Sequence, residues 1–105
     1  MPKPKKAARG KHRWIGFRID HTSTRGELKR SLKANLKGFE WRLFDILEAQ
    51  ECTLAILKTT LDNFKQITLL INNSEGMETL TSSGKIRLVR KRLNETIGND
   101  PLNTV

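Results

Sequence analysis

Residues 13–19 read RWIGFRI, and the alternation in this stretch decides the fold class. Successive side chains of an extended chain point to opposite faces, so Ile15, Phe17 and Ile19 share one side and Trp14, Gly16 and Arg18 the other. The pattern predicts a strand with one buried side. Trp14, on the second side, has two readings: a ring that stacks on a base, or a ring packed beneath a helix.

Downstream, Thr24-Arg25-Gly26-Glu27 forms a T-x-x-E capping box, in which Thr and Glu side chains satisfy orphan N–H groups at a helix start. Leu28, Leu32, Leu36 and Phe39 then recur at helical spacing, and Gly38 sits near the stop. Lys29, Lys33 and Lys37 make an i, i+4 row on another face, with Arg30 beside it. Such like charges repel by roughly a few tenths of a kcal/mol per pair. A counter-anion relieves that repulsion, so the row reads as either a phosphate-facing surface or a merely solvated one.

Trp41–Leu47 and Cys52–Thr59 read as two strands joined through Glu48-Ala49-Gln50-Glu51, a hairpin. In the second strand Leu54 and Ile56 alternate with Ala55 and Leu57, so both of its faces look covered. Thr60 is expected to cap a second helix with Asp62 in its first turn, and Leu61, Phe64, Ile67 or Thr68, and Ile71 to line its core stripe. Asn72-Asn73-Ser74-Glu75-Gly76 ends that helix, and Met77–Thr81 is a short fourth strand. Beyond it, residues 81–93 read TSSGKIRLVRKRL, five Lys and Arg with no acid among them. Ile86, Val89 and Leu93 keep i, i+3, i+7 spacing there, so the basic run is expected to be a short helix opened by Ser83-Gly84.

The order β-α-β-β-α-β with an appended basic C-terminal helix predicts an α+β, ferredoxin-like sandwich, the layout of RNA-recognition modules, with helices packed on one sheet face. Residues 13–93 are expected to form a single domain. Residues 1–12, MPKPKKAARGKH, read as a disordered basic arm or a solubilising tail, and residues 94–105 as a flexible tail. The aromatic signature by which such modules stack bases on the sheet is absent, so RNA would be held through backbone charge and shape.

Composition narrows the function. The chain has 105 residues, a net charge of +9 and a pI near 10.2. Residues 1–39 carry 12 Lys and Arg against 2 Asp and Glu, residues 40–80 carry 3 against 7, and residues 81–105 carry 5 against 2. Two basic ends flanking an acidic middle point to a polyanion held by the ends, nucleic acid rather than membrane, and leave the middle for a protein. No apolar run approaches the ~18 residues that span a bilayer, and the Lys-rich start has no apolar h-region. A cytoplasmic protein is expected, or a nuclear one in a eukaryote, where the KPKK of the arm could serve as a signal. The single Cys52 fits a reducing compartment, and with His12 and His21 it makes no metal-ligand spacing.

Ser83-Gly84-Lys85 is not a nucleotide loop, because the first Gly and the hydroxyl after Lys of a P-loop are missing. A Ser-Gly helix start can still present N–H groups to one backbone phosphate, with Lys85 and Arg87 adding charge. A nuclease site would need a placed acid–base pair or carboxylate cluster. Asp20 beside His21 is a lone carboxylate, so no catalytic residue and no bound cofactor are expected in this chain.

With its elements placed, the chain resembles the small archaeal and eukaryotic ribonuclease P protein subunits, the component 2 family, over about residues 12–93. Arg13-Trp14-Ile15-Gly16-Phe17 is similar to the family's Arg-Tyr-aliphatic-x-Phe opening strand, the T-x-x-E helix follows, and LDNFKQITLLI takes the place of the second helix. Ser83-Gly84-Lys85-Ile86-Arg87 resembles the family's Ser-Gly-Thr-Ile-Arg element, with Lys85 replacing Thr as Trp14 replaces Tyr. The resemblance implies an accessory role in removing the 5′ leader of precursor tRNA. There the RNA subunit performs the Mg²⁺-dependent hydrolysis, the expected partners are ribonuclease P RNA, precursor tRNA, protein component 3 and other subunits, and the two-protein complex can pair further. The resemblance carries over Ser83, Gly84, Ile86, Arg87 and Arg13. Electrostatics adds Lys85, Arg90, Lys91, Lys29, Lys33 and Lys37 as RNA contacts. Three other readings stay open: a ribosome-associated RNA-binding protein, an interaction scaffold with solubilising ends, and a protein-only nuclease.

Overall fold

The computed structural model describes residues 12–49 and 51–98, with side chains as far as Thr96. The remainder of the expected arm, and residues 99–105 of the expected tail, lie outside the described residues. The elements run β1 (His12–Ile19), α1 (Arg25–Asn35), β2 (Trp41–Glu48), β3 (Thr53–Thr60), α2 (Phe64–Asn73), β4 (Met77–Ser83) and α3 (Ile86–Gly98). The strands form one open antiparallel sheet in the order β2-β3-β1-β4. Central β1 and β3 are thus paired on both sides, and β2 and β4 are the edges. No helix among the described residues is long and apolar enough to cross a membrane.

The alternation in β1 sorts the core into two layers. Ile15, Phe17 and Ile19 pack with Ala55 and Leu57 of β3 against Leu28, Leu32 and Leu36 of the α1 segment and Ile67 and Ile71 of α2. Trp14 packs with Leu54 and Ile56 against Val89 and Leu93 of α3. The expectation of one buried side for β1 is therefore corrected: α1 and α2 share the first face as expected, and the appended helix α3 covers the second. The sheet is apolar on both sides in its middle, so each face demands a cover. Trp14 is 9% exposed and edge-on to Phe44 at 4.6 Å between ring centroids, which makes it a core ring. Lys58 lies over it at 5.5 Å.

Gly16 allows the helix to come this close. A Cβ there would lie 3.0 Å from Val89 Cγ1, 3.1 Å from Leu93 Cδ2 and 3.1 Å from Thr81 Cγ2. Burying Val89 and Leu93 contributes roughly 1.5–3 kcal/mol each. Polar contacts then fix the helix's orientation: Arg90 donates to Asp45 of β2 at 2.6 and 3.2 Å, and Arg92 donates to Thr81 Oγ1 at 2.9 Å and to the Ser82 carbonyl at 3.2 Å.

A bulge in β2 prepares that contact. Leu43 pairs with Leu57 and Asp45 with Ile56, leaving Phe44 as the extra residue. Such a bulge shifts the alternation by one, so Phe44 joins the α3 layer while Leu43 and Ile46 both serve the other. Arg25 of α1 reaches the bulged edge and donates to the carbonyls of Leu43 at 2.8 Å and of Phe44 at 3.0 and 3.1 Å. These acceptors on an open edge are thereby satisfied from within.

The capping box forms as the motif demands: Glu27 N–H donates to Thr24 Oγ1 at 3.2 Å, and Thr24 N–H to Glu27 Oε1 at 3.1 Å. Gly38, at φ +88°, turns the chain from α1 toward β2. The start of α2 departs from expectation. Thr60 is still in β3 opposite His12, so its hydroxyl closes a turn by accepting from Asn63 N–H at 3.3 Å, and the helix begins at Phe64. Leu61 and Asp62 fall in that turn and are exposed, outside the core stripe and the first helical turn assigned to them. At the other end of the chain α3 runs on to Gly98, so residues 94–98 are helical rather than part of a tail.

Candidate nucleic-acid interface

The cations expected to meet RNA separate onto two surfaces and a set of internal contacts. Among the described residues the ion pairs are Arg18–Glu78, Arg90–Asp45 and His21–Asp20, the last when His21 is protonated; none includes a lysine.

At the α3 end, the Ser83 hydroxyl accepts from the Lys85 N–H at 3.1 Å. The Lys85 carbonyl in turn accepts from Leu88 and Val89 N–H, so Lys85 rather than Ser83 caps the helix. The amide expected to cradle a phosphate is thus already bonded inside the loop. Gly84 has open space where a side chain would be and an ordinary backbone, so no conformational need explains a glycine there. Lys85, Arg87 and Lys91 are exposed and form no hydrogen bond or ion pair through their side chains among the described residues. Arg87 and Lys91 are one turn apart and project as a pair.

Arg90, also expected in that set, is engaged within the fold. Its guanidinium is held by Asp45, whose hydrogen bond first and charge second push its pKa up. Paired bidentate with Asp45, Arg90 is locally neutralised and offers a phosphate less attraction than an unpaired cation. Arg13 is likewise engaged, its guanidinium lying over the Phe64 ring at 5.4 Å, between β1 and α2.

The Lys row of α1 opens onto a second surface. Arg25, Lys29 and Lys33 of α1 face the edge strand β2 across a cleft of about 650 Å³, whose other wall is Trp41, Arg42, Leu43 and Phe44. Among the described residues no acidic side chain lines it. Arg25 spans the floor through its three bonds to β2, which leaves Lys29 and Lys33, with Arg42 across from them, as charges without a partner among the described residues. Lys37 is exposed past the helix end and does not line the cleft. Trp41, half-buried against the core, shows its remaining surface here. Sequence reasoning found Lys29 and Lys33, left Trp41 open between core and contact surface, and missed Arg25 and Arg42. The only signal for them was that Trp41-Arg42 opens a strand that proves to be an edge.

These features can hold a chain of phosphates and stack a ring. Among the described residues no three His, Cys, Asp or Glu side chains come together as metal ligands, and His21 pairs only with its neighbour Asp20, 3.1 Å away. Comparison with protein-family models, with curated proteins and with solved structures returns no match, so the geometry itself carries the functional reading.

Proposed function

We propose that this protein is an RNA-binding accessory subunit of a ribonucleoprotein, without an active site of its own, and that ribonuclease P is that particle. The observation that carries RNA binding is the α1–β2 cleft, whose described lining holds no acid, together with the exposed Lys85, Arg87 and Lys91 at α3, which make no ion pair among the described residues. Uncompensated cations of this kind repel one another, and a polyanion relieves that repulsion while releasing its own counterions. With α3 over the second sheet face, bases cannot stack on the sheet. Recognition then runs through backbone charge at the sheet edge and along α3. A ferredoxin-like domain with α3 as an added element is the reading that the strand order β2-β3-β1-β4, with a helix in each crossover, supports.

The choice of ribonuclease P rests on the resemblance of the opening strand and of the Ser83–Arg87 element. A partner subunit is supported by apolar surface in the acidic middle segment, where Leu69 is 61% and Leu61 41% exposed. The test is reconstitution of precursor-tRNA cleavage from ribonuclease P RNA and the other subunits, with and without this chain. Faster cleavage or a lower Mg²⁺ requirement with the chain present supports the proposal. Enrichment of ribosomal RNA in a pull-down, with no effect on cleavage, assigns the protein to the ribosome instead.

A further inference from the structure

We infer that the cleft between α1 and the β2 edge is a binding site for unpaired RNA nucleotides, with phosphates on Lys29 and Lys33 and a base on Trp41. This rests on the RNA-binding reading above and adds to it the class of ligand and the place where it sits. Lys29 and Lys33 stand one helical turn apart, a rise of ~6 Å, which suits successive phosphates of an extended strand. The opposite wall, Trp41 to Phe44 of β2, is held in place by Arg25, whose three hydrogen bonds to the Leu43 and Phe44 carbonyls tie α1 to the bulged edge strand. The two walls are thus fixed before any ligand arrives, which reduces the ordering cost of binding.

Size and chemistry exclude a duplex as the occupant. About 650 Å³ falls within the ~300–1,000 Å³ of small-ligand clefts, room for a nucleotide or two and far too little for a double helix. A duplex also keeps its bases stacked and turns only phosphates outward, leaving Trp41 without a partner. Single strands offer both parts: an anionic backbone for the lysines and a free π-face for an indole. Trp14, the other tryptophan, is held between Phe44 and α3 and takes no part.

The test uses the full chain with a labelled, unstructured RNA of ~10 nucleotides and the same sequence as a duplex. Lys29→Gln with Lys33→Gln is expected to weaken single-strand binding about tenfold and to flatten its salt dependence by ~1.4 log units per decade, two contacts at ~0.7 each. Trp41→Leu is expected to lower affinity five- to tenfold, within the ~1–3 kcal/mol assigned to one stacked base, and Trp41→Phe to recover most of it. Binding of the single strand quenches tryptophan emission in the natural chain, and Trp41→Phe, which keeps Trp14, abolishes the quench. Lys85→Gln, Arg87→Gln and Lys91→Gln together leave single-strand affinity within about threefold. Unchanged single-strand affinity in the lysine pair, no quench, or equal preference for the duplex overturns the inference. If the α3 triple variant then loses structured RNA, the RNA-binding reading survives without the cleft, whereas a natural chain that binds no RNA at all removes both.

Discussion

Gly16→Val should pull α3 away from the sheet, and its cost can be worked from the contacts. A Cβ at Gly16 already stands at 3.0–3.1 Å from Val89, Leu93 and Thr81 side chains, a few tenths of an ångström inside ordinary contact. Alanine adds only that atom, and its gain in backbone order over glycine, about 0.5–1 kcal/mol, offsets part of the clash. Valine adds two further methyl groups directed at the same helix. Overpacking of this kind costs about 1–3 kcal/mol, less than full undocking, which would also uncover Trp14, Leu54 and Ile56 and break the Arg90 and Arg92 contacts, so the helix shifts outward rather than leaving. Urea denaturation should therefore show Gly16→Val destabilised by about 1–3 kcal/mol. Hydrogen exchange should speed up selectively in residues 86–98, and emission from Trp14, 9% exposed beneath the helix, should shift to the red. A double-mutant cycle sharpens the test. Leu93→Ala costs about 2–5 kcal/mol alone, but it vacates the space that Cδ2 contests, so Gly16→Ala should be better tolerated beside it than in the natural chain. Additive effects, or Gly16→Val with unchanged exchange in α3, would refute the packing argument.

Two further outcomes follow from other contacts. Asp45→Asn releases Arg90 on α3, so affinity for structured RNA should rise and its salt dependence steepen by up to ~0.9 log units per decade, while Arg90→Gln alone should change affinity little; filter binding across a salt series reads both. Gly38→Ala and Gly76→Ala both force a side chain into the left-handed region, at φ +88° and +81°, for about 1–2 kcal/mol each. At Gly76 the new Cβ would also sit 2.8 Å from Asp20 Oδ1, whereas Gly38 faces open space, so thermal unfolding should show Gly76→Ala as the more damaging.

What the sequence discloses here depends on how local the cause is. The capping box at Thr24 and the Ile86, Val89, Leu93 spacing each act within a few residues and appear in the structure as read; RWIGFRI is the strand its alternation predicts, though buried on both sides rather than one. The side of the sheet that α3 occupies is set by distant coincidences: a glycine in β1, a bulge in β2 and apolar residues on both faces of β3. The last of these was visible in Leu54-Ala55-Ile56-Leu57, and it already required a second cover. The partner of Arg90 was not visible, because Asp45 lies 45 residues earlier in the chain and reaches the α3 side only through the bulge at Phe44. The candidate site divides in the same way. Lys29 and Lys33 were legible as a row on one helix, while Trp41, Arg42 and Arg25 became a cleft only once β2 was known to be the edge beside α1.

The edges also decide how RNA and protein could be held at once. On the face opposite α3, Arg25 ties α1 to β2, and Asn72 ties α2 to β4 by accepting from the Thr79 N–H at 2.9 Å. The two helices therefore belong to opposite edges of one four-stranded sheet. The basic cleft lies on the α1–β2 edge, and exposed Leu69 and Leu80 lie on the α2–β4 side. A strand of RNA in the cleft would leave the α2–β4 side open to a protein partner, and α3, on the other face, would add Arg87 and Lys91 to whichever RNA passes over it. Under this arrangement substitutions at Leu69 should weaken partner binding without altering the salt dependence of RNA binding. Substitutions at Lys29 and Lys33 should do the reverse. If a single substitution disturbed both, the two edges would not be independent, and the division of labour drawn from the charge pattern would fail.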